Sequence, residues 1–249
     1  MADVLQSFDN QKTLNPDIWM NAENDDFMVI KLHPDIRKHL ISIANLFMET
    51  VKLKNVEVED IIFTGSLANY NWSEFSDVDL HIVIDKQAIN VDHDTLDDYL
   101  TIKKDSFNTK HDIRIKGYDV ELYAQDKGET LAALGVYSVL YNRWIKHPSK
   151  TYVAIDKARI KIKVRDFIDQ IKKIDHMIQT QENPEEIVAM IQNLKERIKK
   201  YRKSGLASGG EYSDENLVFK YLRRTNYLQK LTEYKLQTID RMFSLQELD

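Results

Sequence analysis

The sequence has no cysteine among its 249 residues, which excludes disulfide bonds and thiolate metal centres and fits a reducing compartment. It also has no apolar run that approaches the ~20 residues of a membrane-spanning helix. The first ten residues lack the basic and then apolar pattern of a secretory signal. From these absences we predict a cytoplasmic protein without a membrane partner.

Charge is unevenly distributed along the chain, whose formal net charge is −5. From Lys150 to Asp249 there are 20 Lys or Arg and 15 Asp or Glu, whereas Met1–Ser149 has 15 and 25. An acidic part joined to a basic part suits a metal-dependent site that handles phosphates. A lysine-rich helical surface that serves only solubility is an equally good interpretation, and composition does not separate the two.

The first half of the chain alternates between helical and strand patterns. Residues 1–33 look irregular, and Pro34 suits the first turn of a helix whose apolar stripe continues to Phe47. The segments that follow predict in turn a strand, a short helix, a strand, a helix and a strand pair that turns at Lys116-Gly117. These segments are 56–63, 66–72, 76–84, 92–107 and 112–123.

Beyond Asp126 the pattern predicts helices only. Apolar residues at helical spacing form three stripes, which run over 134–144, 160–178 and 187–201. A glycine-containing loop at 204–210 precedes a last helix that starts at Ser213 and bends or breaks near Thr225.

The predicted fold class is therefore α+β. It consists of a small mixed-sheet core, flanked by an N-terminal helix and followed by a C-terminal helical domain. We place the two domains at residues 1–126 and 127–249, and we expect a ligand site in the cleft between them.

One turn in the first half is suited to binding a phosphate. The predicted strand over 56–63 runs through Thr64 into Gly65-Ser66, which opens the predicted short helix. A glycine lets the backbone pass close to a ligand, and the free N–H groups at a helix start are satisfied well by a phosphate. The hydroxyl of Ser66 adds a further hydrogen-bonding group at the same place.

Two aspartates on the next strand predict a metal site. Asp77 and Asp79 are two residues apart, so both point to one face of the strand, while Val78 and Leu80 point into the core. Neighbouring carboxylates repel each other unless a cation lies between them, and Mg²⁺ prefers such oxygen ligands. His81 lies on the same face, but a lone strand histidine is more often structural, so we assign it no role.

These elements resemble the nucleotidyltransferase superfamily that includes DNA polymerase beta. Its pattern is an apolar residue, Gly, then Gly or Ser, a gap of about ten residues, and Asp-apolar-Asp-apolar. Residues 67–76 form the gap here, and Val120-Glu121-Leu122 is similar to the third element, an acid between apolar residues. Asp119 lies on the same strand face as Glu121 and is the rival third carboxylate.

The resemblance implies a catalytic and metal-binding role for Asp77, Asp79 and Glu121, which would hold two Mg²⁺ ions, with Mn²⁺ as a possible substitute. It implies that Gly65 and Ser66 bind the β- and γ-phosphates of a nucleoside triphosphate such as ATP. An acceptor hydroxyl would attack the α-phosphate with release of pyrophosphate.

The helical half is similar to the nucleotide-holding domain of the cGAS-like and oligoadenylate-synthetase-like branches. By that resemblance Lys199 or Lys200 would contact the triphosphate, Ser213 would bond a phosphate and Tyr212 would stack on the base. Each has a simpler interpretation, because Ser213 is a good helix N-cap and the lysines suit a solvated helix face.

The acceptor stays open at this point: a small molecule, another nucleotide, an RNA end or a protein hydroxyl. The loop that follows Gly65-Ser66 resembles that of nucleotidyltransferase-like proteins of tailed phages, which would place the protein in a host cytoplasm. Two alternatives remain. One is an inactive member of the fold that acts as a nucleotide-binding or antitoxin-like module, and the other is a Mg²⁺-dependent phosphodiesterase.

Overall fold

The computed structural model describes residues 2–24, 27–53, 56–131, 133–150 and 153–244. Their contacts divide the chain into two compact units. The sheet unit lies within Asp9–Tyr152, and the helical unit combines the described residues of Met1–Phe8 and of Val153–Asp249.

The sheet unit is a mixed α+β structure, as predicted. Its six-stranded sheet has the strand order β5-β6-β4-β3-β7-β8. All neighbours pair antiparallel except β4 and β6, which are parallel. The strands are β3 Val58–Thr64, β4 Val78–Ile84, β5 Arg114–Ile115, β6 Tyr118–Asp126, β7 Val136–Ser138 and β8 Arg143–Lys146, and a separate hairpin holds β1 Trp19–Asn24 and β2 Phe27–Leu32.

Two helices of this unit, α2 (Pro34–Val51) and α3 (His93–Lys110), begin close to where the sequence predicts them. A parallel strand pair needs a crossover connection, and α3 supplies it between β4 and β6. Asp92 caps α3, since its carboxylate accepts a hydrogen bond from the backbone N–H of Thr95 at 3.1 Å.

Side chains along β4 alternate between the buried core and the outer face of the sheet. Val78, Leu80 and Ile82 are fully buried in the core, whereas Asp79 and His81 between them are half-buried on the opposite face. This period of two fixes which side chains reach the outer face of the sheet.

The predicted helix over 134–144 is wrong, because this segment forms β7 and β8. Tyr137 and Trp144 are cross-strand partners, and their rings meet edge to face at 5.0 Å. Two antiparallel strands thus bring together aromatic residues whose sequence spacing also suits a helix. The strands belong to the sheet unit, so this unit ends at Tyr152 and not at Asp126.

The N-terminal segment is more regular than predicted. Residues expected to be irregular form the helix α1 (Ala2–Gln6) and the hairpin of β1 and β2. Trp19 stacks on Phe63 at 5.5 Å and on Trp144 at 4.6 Å, so its indole is part of the core of the sheet unit.

The helical unit contains α1 with α4 (Lys157–Gln179), α5 (Pro184–Gly209), α6 (Asp214–Arg224) and α7 (Tyr227–Phe243). The predicted stripes of α4 and α5 are confirmed as its core. The predicted break near Thr225 is also confirmed, because Asn226 adopts a φ of 60° between α6 and α7.

The predicted loop at 204–210 is wrong, since α5 continues to Gly209. A Cβ atom on Gly205 would lie 2.4 Å from the Cβ of Glu215 and 2.7 Å from the hydroxyl of Ser213. Gly205 therefore serves close helix packing, which explains a glycine inside a helix. Across the described part of the chain, every helix is too short or too polar to cross a membrane.

Candidate active site

Three polar residues form a row across the central strands of the sheet. Asp79 of β4 lies opposite Thr64 of β3 in the antiparallel ladder and opposite Glu121 of β6 in the parallel one. Residues directly opposite in a ladder point to the same face, so the carboxylates of Asp79 and Glu121 share one side of the sheet. The hydroxyl of Thr64 donates to the carbonyl of Gly135 at 3.1 Å.

Gly65 directly follows this row and fits closely against it. Its backbone has φ 78° and ψ −162°, a region that side-chain-bearing residues rarely adopt. A Cβ atom at this position would lie 1.6 Å from Oδ2 of Asp79. The glycine is therefore required by both backbone conformation and space, and the turn and the aspartate form one unit.

Ser66 opens only a single turn of 3-10 helix, Ser66–Ala68, which is shorter than the predicted helix over 66–72. Its hydroxyl donates to the hydroxyl of Ser76 at 2.8 Å, and that oxygen also accepts from the backbone N–H of Ser73 at 3.0 Å. This hydrogen bond joins Ser66, which directly precedes the ten-residue gap, to Ser76, the last residue of the gap. The binding of phosphates by Gly65 and Ser66 stays a prediction.

The N-terminal segment fixes the loop that follows Ser66. The indole N–H of Trp19 donates to the carbonyl of Leu67 at 2.7 Å, and the backbone N–H of Gln11 donates to the carbonyl of Tyr70 at 2.7 Å. The indole of Trp72 donates to the carbonyl of Thr13 at 2.8 Å. These contacts give the segment before Pro34 a role in positioning the turn.

Gly135 is a second contributor that sequence reasoning missed. A Cβ atom there would lie 2.0 Å from the carbonyl oxygen of Ala68, at the end of the turn. The lead-in to β7 therefore packs directly against the backbone of the turn. The only sequence signal is the isolated glycine itself, whose packing partner is far away in the chain.

The candidates for the third carboxylate differ in their surroundings. Asp119 lies before the part of β6 that pairs with β4, and its carboxylate accepts from Nε of Arg114 at 2.9 Å. Glu121 is the ladder partner of Asp79. Asp77 lies one residue before β4, outside the paired ladder. The register favours Glu121 over Asp119.

A pocket of about 370 Å³ opens beside Asp79 and Glu121. Its other wall comes from the last turns of α3 and from the next residues along β4 and β6. The lining residues are Asp79, His81, Lys104, Asp105, Asn108, Glu121, Leu122 and Tyr123.

His81, to which the sequence assigned no role, therefore lines the same pocket as Asp79. Its Nδ1 is 2.8 Å from Oε1 of Gln125, and its ring lies 5.1 Å from that of Tyr123, its ladder partner. Burial lowers the pKa of His81, and the hydrogen bond to Gln125 and the nearby Glu129 only partly oppose this. The imidazole is consequently neutral near pH 7.

The carboxylates suit Mg²⁺ in donor chemistry, and the shared face suits it for Asp79 and Glu121. Among the described residues, however, no three His, Asp or Glu side chains are arranged to hold a metal ion. Asp79 and Glu121 thus offer neighbouring carboxylates to a hard cation, while the contribution of Asp77 stays a prediction.

The predicted nucleotide contacts of the second half lie in the helical unit. Lys199 and Lys200 are exposed on α5, and Tyr212 lies in a 3-10 turn that joins α5 to α6. Ser213 is the N-cap of α6, because its hydroxyl accepts from the backbone N–H of Asn216 at 3.3 Å. The capping role of Ser213 is confirmed, and the nucleotide contacts stay predictions.

A polar network beside Tyr212 was not foreseen. Glu211 accepts from Lys220 at 2.7 Å, and its backbone carbonyl accepts from the fully buried side chain of Asn216 at 2.7 Å. Burial alone would raise the pKa of Glu211, but Lys220 and Arg202 outweigh it and hold the pKa below its usual value. The network fixes the turn between α5 and α6.

Comparisons with known proteins add little to this picture. No family model matches the chain. No curated protein matches it either. A search of solved structures finds a STING-associated CdnE c-di-GMP synthase from Capnocytophaga granulosa, at 13% identity, with 85% of this chain and 84% of that chain covered. The TM-score is 0.24, which is too low to support an argument about fold or activity.

Proposed function

We propose that the protein is a nucleotidyltransferase that transfers a nucleoside monophosphate from a triphosphate to an acceptor hydroxyl, with release of pyrophosphate. One observation carries the proposal: Gly65 lies against the carboxylate of Asp79, and Asp79 lies opposite Glu121 in the ladder. A glycine turn, a strand aspartate and a second carboxylate on the neighbouring strand are the parts that such a reaction needs.

Each part has a chemical task. Asp79 and Glu121, together with Asp77, would hold the divalent cation. When bound, Mg²⁺ neutralises charge on the phosphates and the leaving group. Because Gly65 has no side chain, the carboxylate of Asp79 can lie directly against its backbone, which places the turn beside the proposed cation. Phosphoryl transfer depends mostly on positioning and electrostatics, so a rigid turn between two strands is a suitable base for it.

Ser66 would contribute its backbone N–H and its hydroxyl oxygen, which can still accept a hydrogen bond while it donates to Ser76. Lys199 and Lys200 remain proposed contacts to the triphosphate, and Tyr212 a proposed stacking partner of the base. Ser213 already serves as an N-cap, and its second lone pair is what it would offer to a ligand.

The test is a screen of the four α-³²P-labelled nucleoside triphosphates with Mg²⁺ or Mn²⁺, in the presence of small polyols, nucleotides, total RNA or cell lysate. We expect labelled product and pyrophosphate with at least one acceptor. Asp77→Ala and Asp79→Ala should abolish both, while Asp169→Ala, an exposed carboxylate on α4, should leave them unchanged.

The alternative is a nucleotide-binding module without turnover. It is favoured by the lack, among the described residues, of three side chains arranged around a metal position. Tight triphosphate binding with no pyrophosphate under any condition of the screen would establish this alternative and refute the enzyme.

A further inference from the structure

A second cavity, of about 180 Å³, lies beside the pocket of Asp79 and Glu121 and has no task in the proposed function. Lys104 and Tyr123 line both cavities, so the two spaces share a wall. The other lining residues of the second cavity, called the lysine cavity below, are Lys86, Asp97, Leu100, Thr101 and Ala124. A space of this size holds several water molecules or one tetrahedral anion.

Lys86 is the least exposed charged residue of this lining, with 6% of its side chain accessible. It opens a 3-10 turn directly after β4, and its backbone N–H donates to the carboxylate of Asp126, at the end of β6, at 2.9 Å. Its ammonium donates to Oδ1 of Asp97 at 2.8 Å. Because Asp97 also lines the lysine cavity, the charged end of Lys86 lies at this cavity.

The ammonium of Lys86 has donors to spare. It carries three N–H groups, and Asp97 is its one hydrogen-bond partner among the described residues. The hydrogen bond from Lys86 lowers the pKa of Asp97, so this carboxylate is ionised near pH 7. A buried ammonium with a single partner has lost more hydration than the protein replaces. An anion in the cavity would supply the missing acceptors.

The edge of β6 adds a backbone donor. The N–H of Val120 donates away from β4, to the carbonyl of Ile113, whereas the N–H of Lys127 donates towards β4. Backbone groups of successive residues in a strand point to opposite sides, so Ala124 directs its N–H away from β4, as Val120 does. β5 covers only the first residues of β6 on that side. The N–H of Ala124 therefore has no hydrogen-bond partner in the described part of the chain, and the residue lines the lysine cavity.

Helix α3 supplies donors from the opposite wall. Thr101 and Lys104 lie one helical turn apart, and the hydroxyl of Thr101 forms no hydrogen bond with any described residue. The ammonium of Lys104 is 3.4 Å from the largely exposed carboxylate of Asp105, and such surface pairs contribute little, so Lys104 stays available to a ligand. Two ammonium groups face one carboxylate, that of Asp97, in this lining, which leaves an excess of one positive charge.

The lysine cavity lies within reach of the candidate cation site. Glu121 and Ala124 are three residues apart on β6, which corresponds to about 10 Å along the strand. A small molecule anchored in the lysine cavity by an anionic group can therefore present another of its groups, several bonds away, to the carboxylates of Asp79 and Glu121.

We propose that the lysine cavity binds the phosphate of a phosphomonoester, and that this phosphate anchors the acceptor of the proposed nucleotidyl transfer, on which the inference rests. Lys86, Lys104 and the N–H of Ala124 hold the phosphate. A hydroxyl of the same molecule reaches the neighbouring pocket, where its oxygen bonds to the α-phosphorus as pyrophosphate leaves and its proton passes to water. A sugar phosphate and a nucleoside monophosphate share this chemistry.

Binding is tested by NMR on ¹⁵N-labelled protein without triphosphate or metal. Inorganic phosphate, glucose 6-phosphate and AMP should shift the amide resonances of Ala124 and Thr101, whereas glucose and adenosine at the same concentrations should not. Tighter binding of one ester than of the other supports the inference and shows whether the anchored molecule is a sugar or a nucleoside. No shift with any of the three phosphates, or equal shifts with the unphosphorylated compounds, would overturn the inference.

Charge variants test which lysines hold the anion. Lys104→Gln should weaken the binding of inorganic phosphate by about 3- to 10-fold, and Lys86→Gln by about 10-fold or more, the effect of one hydrogen bond between charged groups. Lys103→Gln is the matched control, because it removes the same charge from α3 at a residue outside the lining of both cavities. If Lys86→Gln does not fold, Lys104→Gln decides. Equal losses in Lys103→Gln and Lys104→Gln would refute the site.

These binding readouts need no turnover, so they separate the two proposals. If the phosphate esters bind as expected but no triphosphate gives pyrophosphate, the proposed enzyme fails and the anion site stands. If pyrophosphate is released but phosphorylated acceptors react no better than their unphosphorylated counterparts, the enzyme stands and the acceptor anchor is wrong. With an acceptor phosphate, Lys104→Gln should raise the KM for that acceptor and leave kcat nearly unchanged.

Discussion

The backbone of Gly65 lies against the carboxylate of Asp79 so closely that a Cβ on the glycine would lie 1.6 Å from the aspartate oxygen. Gly65 directly follows β3, and Asp79 lies within the adjacent strand β4. The contact locks the turn to the carboxylate, so that any ligand held by one is held at a set distance from the other.

Gly65→Ala should therefore disable the site even if the chain folds. The substitution strains the backbone at φ 78° and forces the carboxylate of Asp79 to move. Gly117→Ala is a matched control, because Gly117 has φ 86° but nothing within 4 Å of a Cβ. Backbone strain should cost each variant about 1–3 kcal/mol of unfolding free energy, and Gly65→Ala should lose more than Gly117→Ala because its Cβ also collides with Asp79.

Pyrophosphate release, measured beside urea unfolding, separates the two effects. Activity lost in Gly65→Ala and retained in Gly117→Ala is the expected result. Equal activity of the two variants would mean that the position of Asp79 is irrelevant to the reaction.

Glu121→Gln should reduce turnover by at least about 100-fold, while Asp119→Asn should leave it near the wild-type value. The expectation follows from the register, which places Glu121 opposite Asp79. Asp119 lies outside this paired region and forms an ion pair with Arg114. Even outer-sphere partners of a metal site contribute about 10–100-fold, so a direct ligand should contribute more. The reverse ranking, measured as kcat with saturating Mg²⁺, would make Asp119 the third carboxylate.

Ser213 distinguishes a capping role from a nucleotide contact. Ser213→Ala should lower the unfolding free energy by about 1 kcal/mol, because the N-cap bond to Asn216 is lost. Ser213→Asn should restore stability, since asparagine caps equally well. If the hydroxyl also binds phosphate, the affinity for triphosphate, measured by calorimetry, will fall in both variants, and if it serves only the cap, Ser213→Asn will bind like the wild type.

The ion pair of Glu211 and Lys220 should make the helical unit less stable in acid. The pKa of Glu211 is lowered in the fold from its usual 4.5. Its contribution to stability is thus complete above pH 4.5 and is lost as the pH falls through the lowered folded value. Glu211→Gln should flatten the pH dependence of urea unfolding in that range.

Glu196→Gln, which alters an exposed carboxylate on α5, serves as the control and should keep the wild-type slope. A Glu211→Gln variant with an unchanged slope would show that the pair contributes nothing to folding.

Much of the fold follows from local patterns. The strict alternation of apolar and polar residues in β4 and the long apolar stripe of α4 indicate which side of each element is buried. These elements were therefore predicted close to their observed bounds. The exceptions are instructive. β7 and β8 were predicted as a helix because aromatic side chains that converge from two strands mimic helical spacing.

The sequence by itself determined the local half of the candidate site, namely the turn at Gly65-Ser66 and the strand that carries Asp79. A tight turn depends on the conformational freedom of glycine, and an amphipathic strand depends on the alternation of apolar and polar residues. Both properties are visible in the local sequence.

Only the tertiary structure showed that Glu121, and not Asp119, lies opposite Asp79 in the ladder, and that His81 lines the same pocket as Asp79. Both outcomes depend on the register of β4 against β6 and on the position of Gln125, and pairing register is set by packing between segments far apart in the chain. Periodicity within a segment carries no information on that register, so these spatial neighbours could be identified only from the folded chain.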